Sequence, residues 1–189
     1  AYWRIFTVVL AVIGLISCST TRVLQDNEYR LAKNSIEVKN DKRFNTEQLQ
    51  PYLKQKPNAY FIFGWNPFLN VYNWQNGKGR AWDKLVKKVG IAPVVYDAEL
   101  VESSITNLEN RLKYLGYFDS HVDSHVSVKR KKVNVTYDVT LGKQFPIKSI
   151  EIDLPDNEEF KKEFLADTAS MTVKVGDYLS ESALEAETE

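Results

Sequence analysis

Two histidines and an aspartate at alternate positions, His121, Asp123 and His125, are the residues of this sequence best suited to chemistry. In an extended strand they share one face, and imidazole and carboxylate groups are common metal ligands. Alternate strand positions point along a line, however, whereas zinc ligands converge as a tetrahedron. The sequence holds no third histidine to complete a set. We therefore expect no metal and no cofactor, and interpret this face as solvated.

Other patterns typical of catalysis are missing from the sequence. There is no glycine-rich phosphate loop, and Ser103 and Ser104 lie in a helical pattern without a base at a recognisable spacing. Basic and acidic residues number 25 each, so the formal net charge is zero and a basic nucleic-acid surface is not expected. The composition and motifs favour a binding or assembly module that is not an enzyme.

The N-terminus predicts export. Arg4 precedes an apolar run from Ile5 to Ile16. This run is shorter than the ~20 residues of a membrane-spanning helix and fits a signal-peptide core of about 7–15 residues. We predict a signal peptide over residues 1–17, with an uncleaved signal anchor as the alternative.

Leu15-Ile16-Ser17-Cys18 resembles a bacterial lipobox, which implies cleavage before Cys18 and acylation of that residue. Cys18 is the only cysteine, so it cannot form an internal disulfide. Two acyl chains suffice for stable membrane attachment. We predict lipidation at Cys18, followed by a lipidated tether over residues 18–27.

An amphipathic helix and two strands follow the middle of the chain. Apolar residues at three- and four-residue spacing predict a helix from Asp97; they are Val101, Ile105, Leu108, Leu112 and Leu115. Gly116 can take the left-handed conformation that ends such a helix. Alternating apolar residues then predict two strands with one dry face each. These are Val122, Val126 and Val128 in the first, and Val133, Val135, Tyr137, Val139 and Leu141 in the second.

The helix, turn and strands resemble the POTRA (polypeptide-transport-associated) domain. That family has the order strand, helix, helix, strand, strand, and its second helix ends in a Gly-Tyr-Phe-like turn, here Leu115-Gly116-Tyr117-Phe118. The resemblance implies an α+β fold. A generic α+β domain without a transport role is the alternative.

The residues upstream supply the first strand and helix of this order. Leu31–Lys39 predicts a strand with Ile36 and Val38 on one face. The first helix begins either after an Asn45 cap or at Gln50, with Pro51 in its first turn.

A long insertion, residues 57–92, separates the two predicted helices, and its segment from Tyr60 to Trp82 is aromatic without a clear period. Its rings either fold back onto their own domain or dock a partner, a client chain or the bilayer interface. The partner-binding residues predicted for docking are Phe61, Phe63, Trp65, Phe68, Tyr72 and Trp74. This segment is similar to that of TamL-like lipoproteins of the BamA/TamA outer-membrane assembly family, on the motifs Gln55-Lys56-Pro57-Asn58, Phe63-Gly64 and Tyr72-Asn73.

The pattern restarts after Gly142. Ile147, Ile150 and Ile152 predict a strand, Phe160, Phe164 and Leu165 mark a short helix, and Ser180 caps another. We predict tandem POTRA domains, the first over residues 28–143 and a truncated second over 144–189.

The resemblance implies the periplasmic POTRA region of an outer-membrane β-barrel assembly or translocation lipoprotein, lipid-anchored to the outer membrane and facing the periplasm. Its implied partners are unfolded or nascent outer-membrane client proteins and a periplasmic or inner-membrane partner protein. The alternative is a non-barrel POTRA scaffold anchored by an uncleaved N-terminal helix.

In the family's fold the strand after the Gly-Tyr-Phe turn lies at the rim of a three-stranded sheet. The resemblance implies that this strand, Ser120–Val128, recruits extended segments by β-augmentation. The partner-binding residues predicted here are Val122, Asp123, Ser124, His125 and Val126. Proline at Asp123 or His125 is expected to impair function more than alanine.

Overall fold

A computed structural model of the chain describes residues 20–60, 66–167 and 171–188. Cys18, the predicted signal peptide, Phe61, Phe63 and Trp65 lie outside the described residues. The elements, in chain order, are β1 Arg30–Val38, a 3₁₀ helix Thr46–Tyr52, α1 Pro67–Tyr72, α2 Ala81–Val89, α3 Ala98–Tyr114, β2 His121–Lys129, β3 Lys132–Thr140, α4 Glu158–Asp167 and α5 Glu181–Thr188. None of the described helices is long and apolar enough to cross a membrane.

The chain forms two compact units. The first comprises Lys56–Asp97, Val126–Val135 and the described part of Ala1–Asn34, and the second comprises Ser35–Gln55, Ala98–His125 and the described part of Thr136–Glu189. The predicted boundary between residues 143 and 144 stays a prediction.

The three strands form one sheet in the order β1-β3-β2. The Arg30 amide donates to the Lys131 carbonyl at 2.9 Å, and the Lys39 amide donates to the Val139 carbonyl at 2.9 Å, so β1 and β3 run parallel. A two-residue turn with left-handed Arg130 (φ 52) and Lys131 (φ 58) joins β2 to β3 as an antiparallel hairpin. The predicted mixture of one small sheet with helices is confirmed.

The core of the second unit lies where α3 and the 3₁₀ helix bury their apolar residues. Its almost fully buried side chains include Leu49, Val101, Leu108, Leu112, Val122, Tyr137 and Val139. Ser104 is also buried. Its hydroxyl accepts the Lys54 amide at 2.9 Å and donates to the Leu100 carbonyl at 2.6 Å, which ties the chain after the 3₁₀ helix to α3.

The dry face predicted for β2 is only partly dry. Val122 is 2% exposed, but Val126 and Val128 are 43% and 55% exposed. Alternation shows which residues share a face, whereas burial requires another layer to cover that face. No described layer covers the second half of β2.

The end of α3 follows the sequence prediction. Gly116 has a φ of 86°, its amide bonds to the Lys113 carbonyl, and the Tyr117 amide bonds to the Leu112 carbonyl. These two bonds define a Schellman motif, in which a left-handed residue satisfies the last helical carbonyls.

The first predicted helix is a 3₁₀ helix that begins at Thr46. The Asn45 side chain accepts the Glu47 amide, as expected of a cap, and Pro51 lies near the end of the helix. The alternative start at Gln50 is therefore wrong. Phe44 packs edge-on against Tyr117, with ring centroids 5.5 Å apart.

The insertion contains two short helices that its aromatic pattern did not predict. Asn66 caps α1 by accepting the Leu69 amide, and Pro67 follows at the first helical position. Gly90, after α2, lies so close to the end of α1 that a Cβ there would be 2.5 Å from the Tyr72 nitrogen. The two helices thus pack together within the first unit.

The segment predicted as a loose tether packs on this insertion. The Val23 amide donates to Asn73 Oδ1 at 3.2 Å, and Thr21 and Leu24 are buried. The side chain of Asn73, the C-cap residue of α1, therefore holds the chain at Val23, five residues after Cys18.

Near the C-terminus, α4 and α5 agree with the predicted helices, and Ser180 Oγ accepts the Ala183 amide as a cap. The strand predicted over Ile147–Leu154 is wrong, because no described strand lies there. Backbone pairing with residues 176–179 reaches only as far as Ile147, and Ile150 and Ile152 remain exposed without partners for a ladder.

Candidate protein-binding edge of the sheet

Strand β2 occupies one edge of the three-stranded sheet, as predicted. An edge strand directs every second residue's amide and carbonyl away from the sheet. Which residues these are depends on the register of β2 against β3.

The register follows from the bonds to β1 and from the turn. Because the Lys39 amide bonds to the Val139 carbonyl, odd-numbered residues of β3 direct their backbone groups toward β1 and even-numbered residues toward β2. The two-residue turn pairs Lys129 with Lys132. Odd-numbered residues of β2 therefore face β3, and even-numbered residues face outward.

This register changes the proline test expected from the sequence. Asp123 and His125 direct their amides into the sheet, so proline at either position would break the ladder that holds β2. Ser124 and Val126 direct theirs outward. Proline at Ser124 is the substitution that removes an edge donor and leaves the ladder intact.

The outward donors differ along the strand. The Val122 amide donates to Glu109 Oε1 of α3 at 3.1 Å. No partner outside the sheet binds the outward backbone groups of Ser124, Val126 or Val128 within the described part of the chain. The open edge therefore starts at Ser124.

The polar face of β2 is paired with neighbouring charges. His125 Nε2 lies 3.0 Å from Asp138 Oδ2, and Lys39 Nζ lies 2.8 Å from Asp138 Oδ1. Hydrogen bonding to Asp138 raises the pKa of Lys39 above its ordinary value. The three side chains form a row across the sheet that keeps this face polar.

His121 belongs to a separate pair of contacts. Its Nδ1 lies 3.2 Å from Glu109 Oε1, and its Nε2 lies 3.3 Å from Asp123 Oδ1. Among the residues that the structure describes, no three His, Cys, Asp or Glu side chains are placed to hold a metal ion. The sequence did not single out Glu109 or Asp138, because their roles depend on the strand register and on where α3 meets the edge.

The described aromatic residues that were predicted to bind a partner differ in how far they are exposed to solvent. Phe68 and Tyr72 are half-buried on α1, and Trp74 is exposed. The Trp82 indole donates to the Trp74 carbonyl at 3.4 Å and is itself exposed. The helices of the insertion thus enclose some rings and leave others in solvent.

A second polar feature lies between α3 and the 3₁₀ helix. A cleft of about 280 Å³ is lined by Tyr52, Asn107, Asn110, Arg111 and Tyr114. The Arg111 guanidinium stacks on the Tyr52 and Tyr114 rings, 5.1 Å and 4.7 Å from their centroids. A hydrogen bond to Glu185 raises the pKa of Tyr114. These contacts fix the cleft as part of the packing between helices.

Comparison with protein families matches residues 33–142 to the POTRA family, described as a surface antigen variable number repeat. That match covers more than half of the 189 residues. No curated protein matches the chain.

Among solved structures, the chain is similar to the crystal structure of Haemophilus influenzae BamA POTRA3-5, with 16% sequence identity and a TM-score of 0.41. The match covers 87% of this chain and 54% of that one, so the chain spans about half the length of the BamA chain. The family match, with the helix, Gly116 turn and sheet described above, shows that this chain belongs to the POTRA family.

Proposed function

We propose that the chain is the periplasmic POTRA region of an outer-membrane β-barrel assembly or translocation lipoprotein. In this proposal it binds extended segments of unfolded outer-membrane clients, or of a partner protein, by β-augmentation along β2. POTRA family membership supports the general role. The observation that carries the binding mode is the open row of backbone groups at Ser124, Val126 and Val128.

The two faces beside this edge suit a particular kind of client. Val126 and Val128 expose apolar surface on one face, whereas His125 and Asp123 present polar groups on the other. A client strand that alternates apolar and polar residues can match both faces, and such alternation is typical of transmembrane β-barrel strands. Since backbone bonds supply the pairing, many client sequences satisfy it.

Amide hydrogen exchange tests the binding mode residue by residue. An extended peptide of alternating apolar and polar residues should slow exchange at Ser124, Val126 and Val128, because their amides gain acceptors. The amides of Asp123 and His125 already face β3 and should change little. Protection confined to the insertion would overturn binding at β2.

A pair of variants at one position provides the functional test. Ser124→Pro should weaken peptide binding about tenfold or more, because it removes one donor and places a ring on the pairing edge. Ser124→Ala keeps the backbone donor and should bind as the wild type does. Thermal unfolding of both variants checks the fold, and equal binding by both would contradict the proposal.

The proposal also includes attachment through Cys18. Cys18→Ser should accumulate an unprocessed precursor, and mass spectrometry of the wild-type mature N-terminus should find acyl chains on Cys18. An intact signal segment on the mature wild-type protein would instead support the scaffold anchored by an uncleaved helix.

A further inference from the structure

Helix α2 of the insertion carries an exposed apolar stripe, defined by Trp82, Leu85 and Val89. Their spacing of three and four residues places them on one side of the helix. They are 48%, 53% and 49% exposed, whereas Asp83 and Val86 supply the buried side. A soluble helix ordinarily buries its apolar side, so this stripe lacks a covering layer among the described residues.

The surroundings of the stripe are strongly basic. Residues 76–91 contain five basic residues and one acidic residue, a net charge of +4 in a chain whose formal net charge is zero. The basic residues are Lys78, Arg80, Lys84, Lys87 and Lys88, and all are exposed. None of them forms a close ion pair within the part of the chain that the structure describes, although the charge of Lys87 contributes to lowering the pKa of Asp83. A surface that is complementary to this stripe and its surroundings is therefore apolar and negatively charged.

Contacts through α1 hold α2 close to the segment that follows Cys18, the predicted site of the lipid anchor. The Val23 amide is held by Asn73 at the end of α1, and α1 packs against the end of α2. Five residues separate Val23 from Cys18, and a fully extended chain covers at most about 3.3–3.6 Å per residue, or roughly 18 Å in all. An acyl group on Cys18 would thus hold the insertion within a short distance of the bilayer.

We propose that α2 lies on the membrane surface, with Trp82, Leu85 and Val89 in the interface and the basic residues contacting anionic lipid headgroups. Short amphipathic helices with Lys and Arg on the polar side and Trp and Leu on the other bind membranes in this way. Tryptophan is also enriched at the boundary between lipid and water. The proposal rests on the proposed attachment at Cys18, which brings α2 near the bilayer, and assigns the insertion a role separate from the β2 edge.

Docking of α2 would fix the orientation of the first unit relative to the bilayer. One lipid anchor alone leaves a protein free to rotate about its attachment point, and a second contact removes that freedom. Two contacts formed by nearby segments of one chain reinforce each other through a high effective concentration.

The experiment uses the lipidated protein carrying Leu85→Cys with a nitroxide label. Vesicles of phosphatidylcholine alone are compared with vesicles that also contain phosphatidylglycerol. In the anionic vesicles we expect the label to be shielded from a water-soluble relaxation agent and accessible to oxygen. The same labelled protein on vesicles of phosphatidylcholine alone is the control, and there the label should stay accessible to the aqueous agent.

Charge variants test the electrostatic part of the proposal. Neutralising Arg80, Lys84 and Lys88 together to glutamine should lower the ratio of docked to undocked protein by about fivefold for each charge removed. The matched control neutralises Lys129, Arg130 and Lys132 in the hairpin, which removes the same net charge. Equal losses in the two variants would show a general charge effect and would overturn a specific role for α2.

Flotation separates this proposal from the attachment on which it rests. Failure of the wild-type protein to float with vesicles would refute attachment through Cys18. Flotation with a fully water-accessible label at position 85 in anionic vesicles would refute membrane docking of α2. Shielding that appears only when an extended client peptide is added would likewise overturn it, and would assign the stripe to clients.

Discussion

Glu109 Oε1 accepts the Val122 amide at 3.1 Å, and this bond closes the first outward-facing donor of β2. Beyond it the outward groups of Ser124, Val126 and Val128 have no partner outside the sheet in the described part of the chain. The Glu109 side chain thus limits how far an added strand can pair along β2 toward α3. The available edge is short, which also restrains uncontrolled sheet extension.

Removing the Glu109 carboxylate should extend the open edge of β2 to Val122. Glu109→Ala frees the Val122 amide, so we expect extended-peptide affinity to rise by up to about fivefold, the value of one additional backbone hydrogen bond. Stability in urea should fall by about 1 kcal/mol, because a partly buried amide loses its acceptor. Titration calorimetry and urea unfolding measure the two effects.

Glu102→Ala is the matched control on the same helix, since this exposed side chain makes no hydrogen bond in the described residues. It should change neither quantity. If Glu109→Ala weakened binding, the Glu109 carboxylate would have to contact the peptide directly.

Two glycines allow the conformational and packing roles of glycine to be separated. Gly116 (φ 86) and Gly176 (φ 98) both have positive φ, but a Cβ at Gly116 would lie 2.4 Å from the Leu179 carbonyl oxygen, whereas nothing lies within 4 Å at Gly176. Gly176→Ala should cost about 1–2 kcal/mol for the backbone conformation. Gly116→Ala should cost roughly 1–3 kcal/mol more, because the backbone at Leu179 must move.

Urea unfolding of the two variants measures the difference. Equal destabilisation would mean that the segment at Leu179 yields freely to Gly116→Ala. In that case the contact between the helix turn and residues 179–180 would contribute little to stability.

Local chemistry explains which parts of the fold were predictable. Gly116 could be identified because a helix end needs a left-handed residue whatever surrounds it. The two strands of the hairpin were clear from alternation alone. Asn66-Pro67 was also a readable helix start, but the dense aromatic residues around it obscured the signal.

Tertiary placement explains what the sequence missed. The direction of the Ser124 amide depends on pairing across the hairpin, and the exposure of Val126 depends on how far the helical layer extends. The hydrogen bond from the Val122 amide to Glu109 depends both on the strand register and on where α3 meets the edge of the sheet. None of these is encoded in residue spacing within one element, so the correct proline position emerged only from the structure.

The stability of the insertion should depend on pH through the charge of Asp83. The Asn76 amide donates to Oδ1 at 2.7 Å and the Gly79 amide to Oδ2 at 2.8 Å. These bonds, that of Asn76 first, lower the pKa of Asp83 below its ordinary value of 3.8, against an opposing effect of burial. The stabilisation is therefore present above 3.8 and is lost as the pH falls through the lowered pKa.

Asp83→Asn should lower stability at neutral pH and flatten its decline on acidification. Asp153→Asn, at an exposed aspartate without a hydrogen bond in the described residues, is the control and should leave the pH profile unchanged. Urea midpoints measured from neutral to acid pH make the comparison. An unchanged profile for Asp83→Asn would show that the loop before α2 does not depend on this carboxylate.

A substitution in the turn between β2 and β3 should stabilise the protein. Arg130 has a φ of 52°, a left-handed conformation that disfavours a residue with a long side chain, whereas asparagine tolerates it. Arg130→Asn should therefore raise stability by about 0.5–1 kcal/mol, or roughly 1–4 °C in Tm for a chain of this size. Lys131 is a poorer choice, because its Nζ donates to the Gln25 carbonyl at 2.9 Å.

Lys129→Asn is the control: it also replaces a basic residue with asparagine, but inside β2, where asparagine is a poor strand former, and it should not raise Tm. A fall in Tm for Arg130→Asn would mean that the arginine side chain contributes more than its backbone strain costs. A rise without any change in peptide binding would show that the turn sets the stability of β2 independently of its open edge.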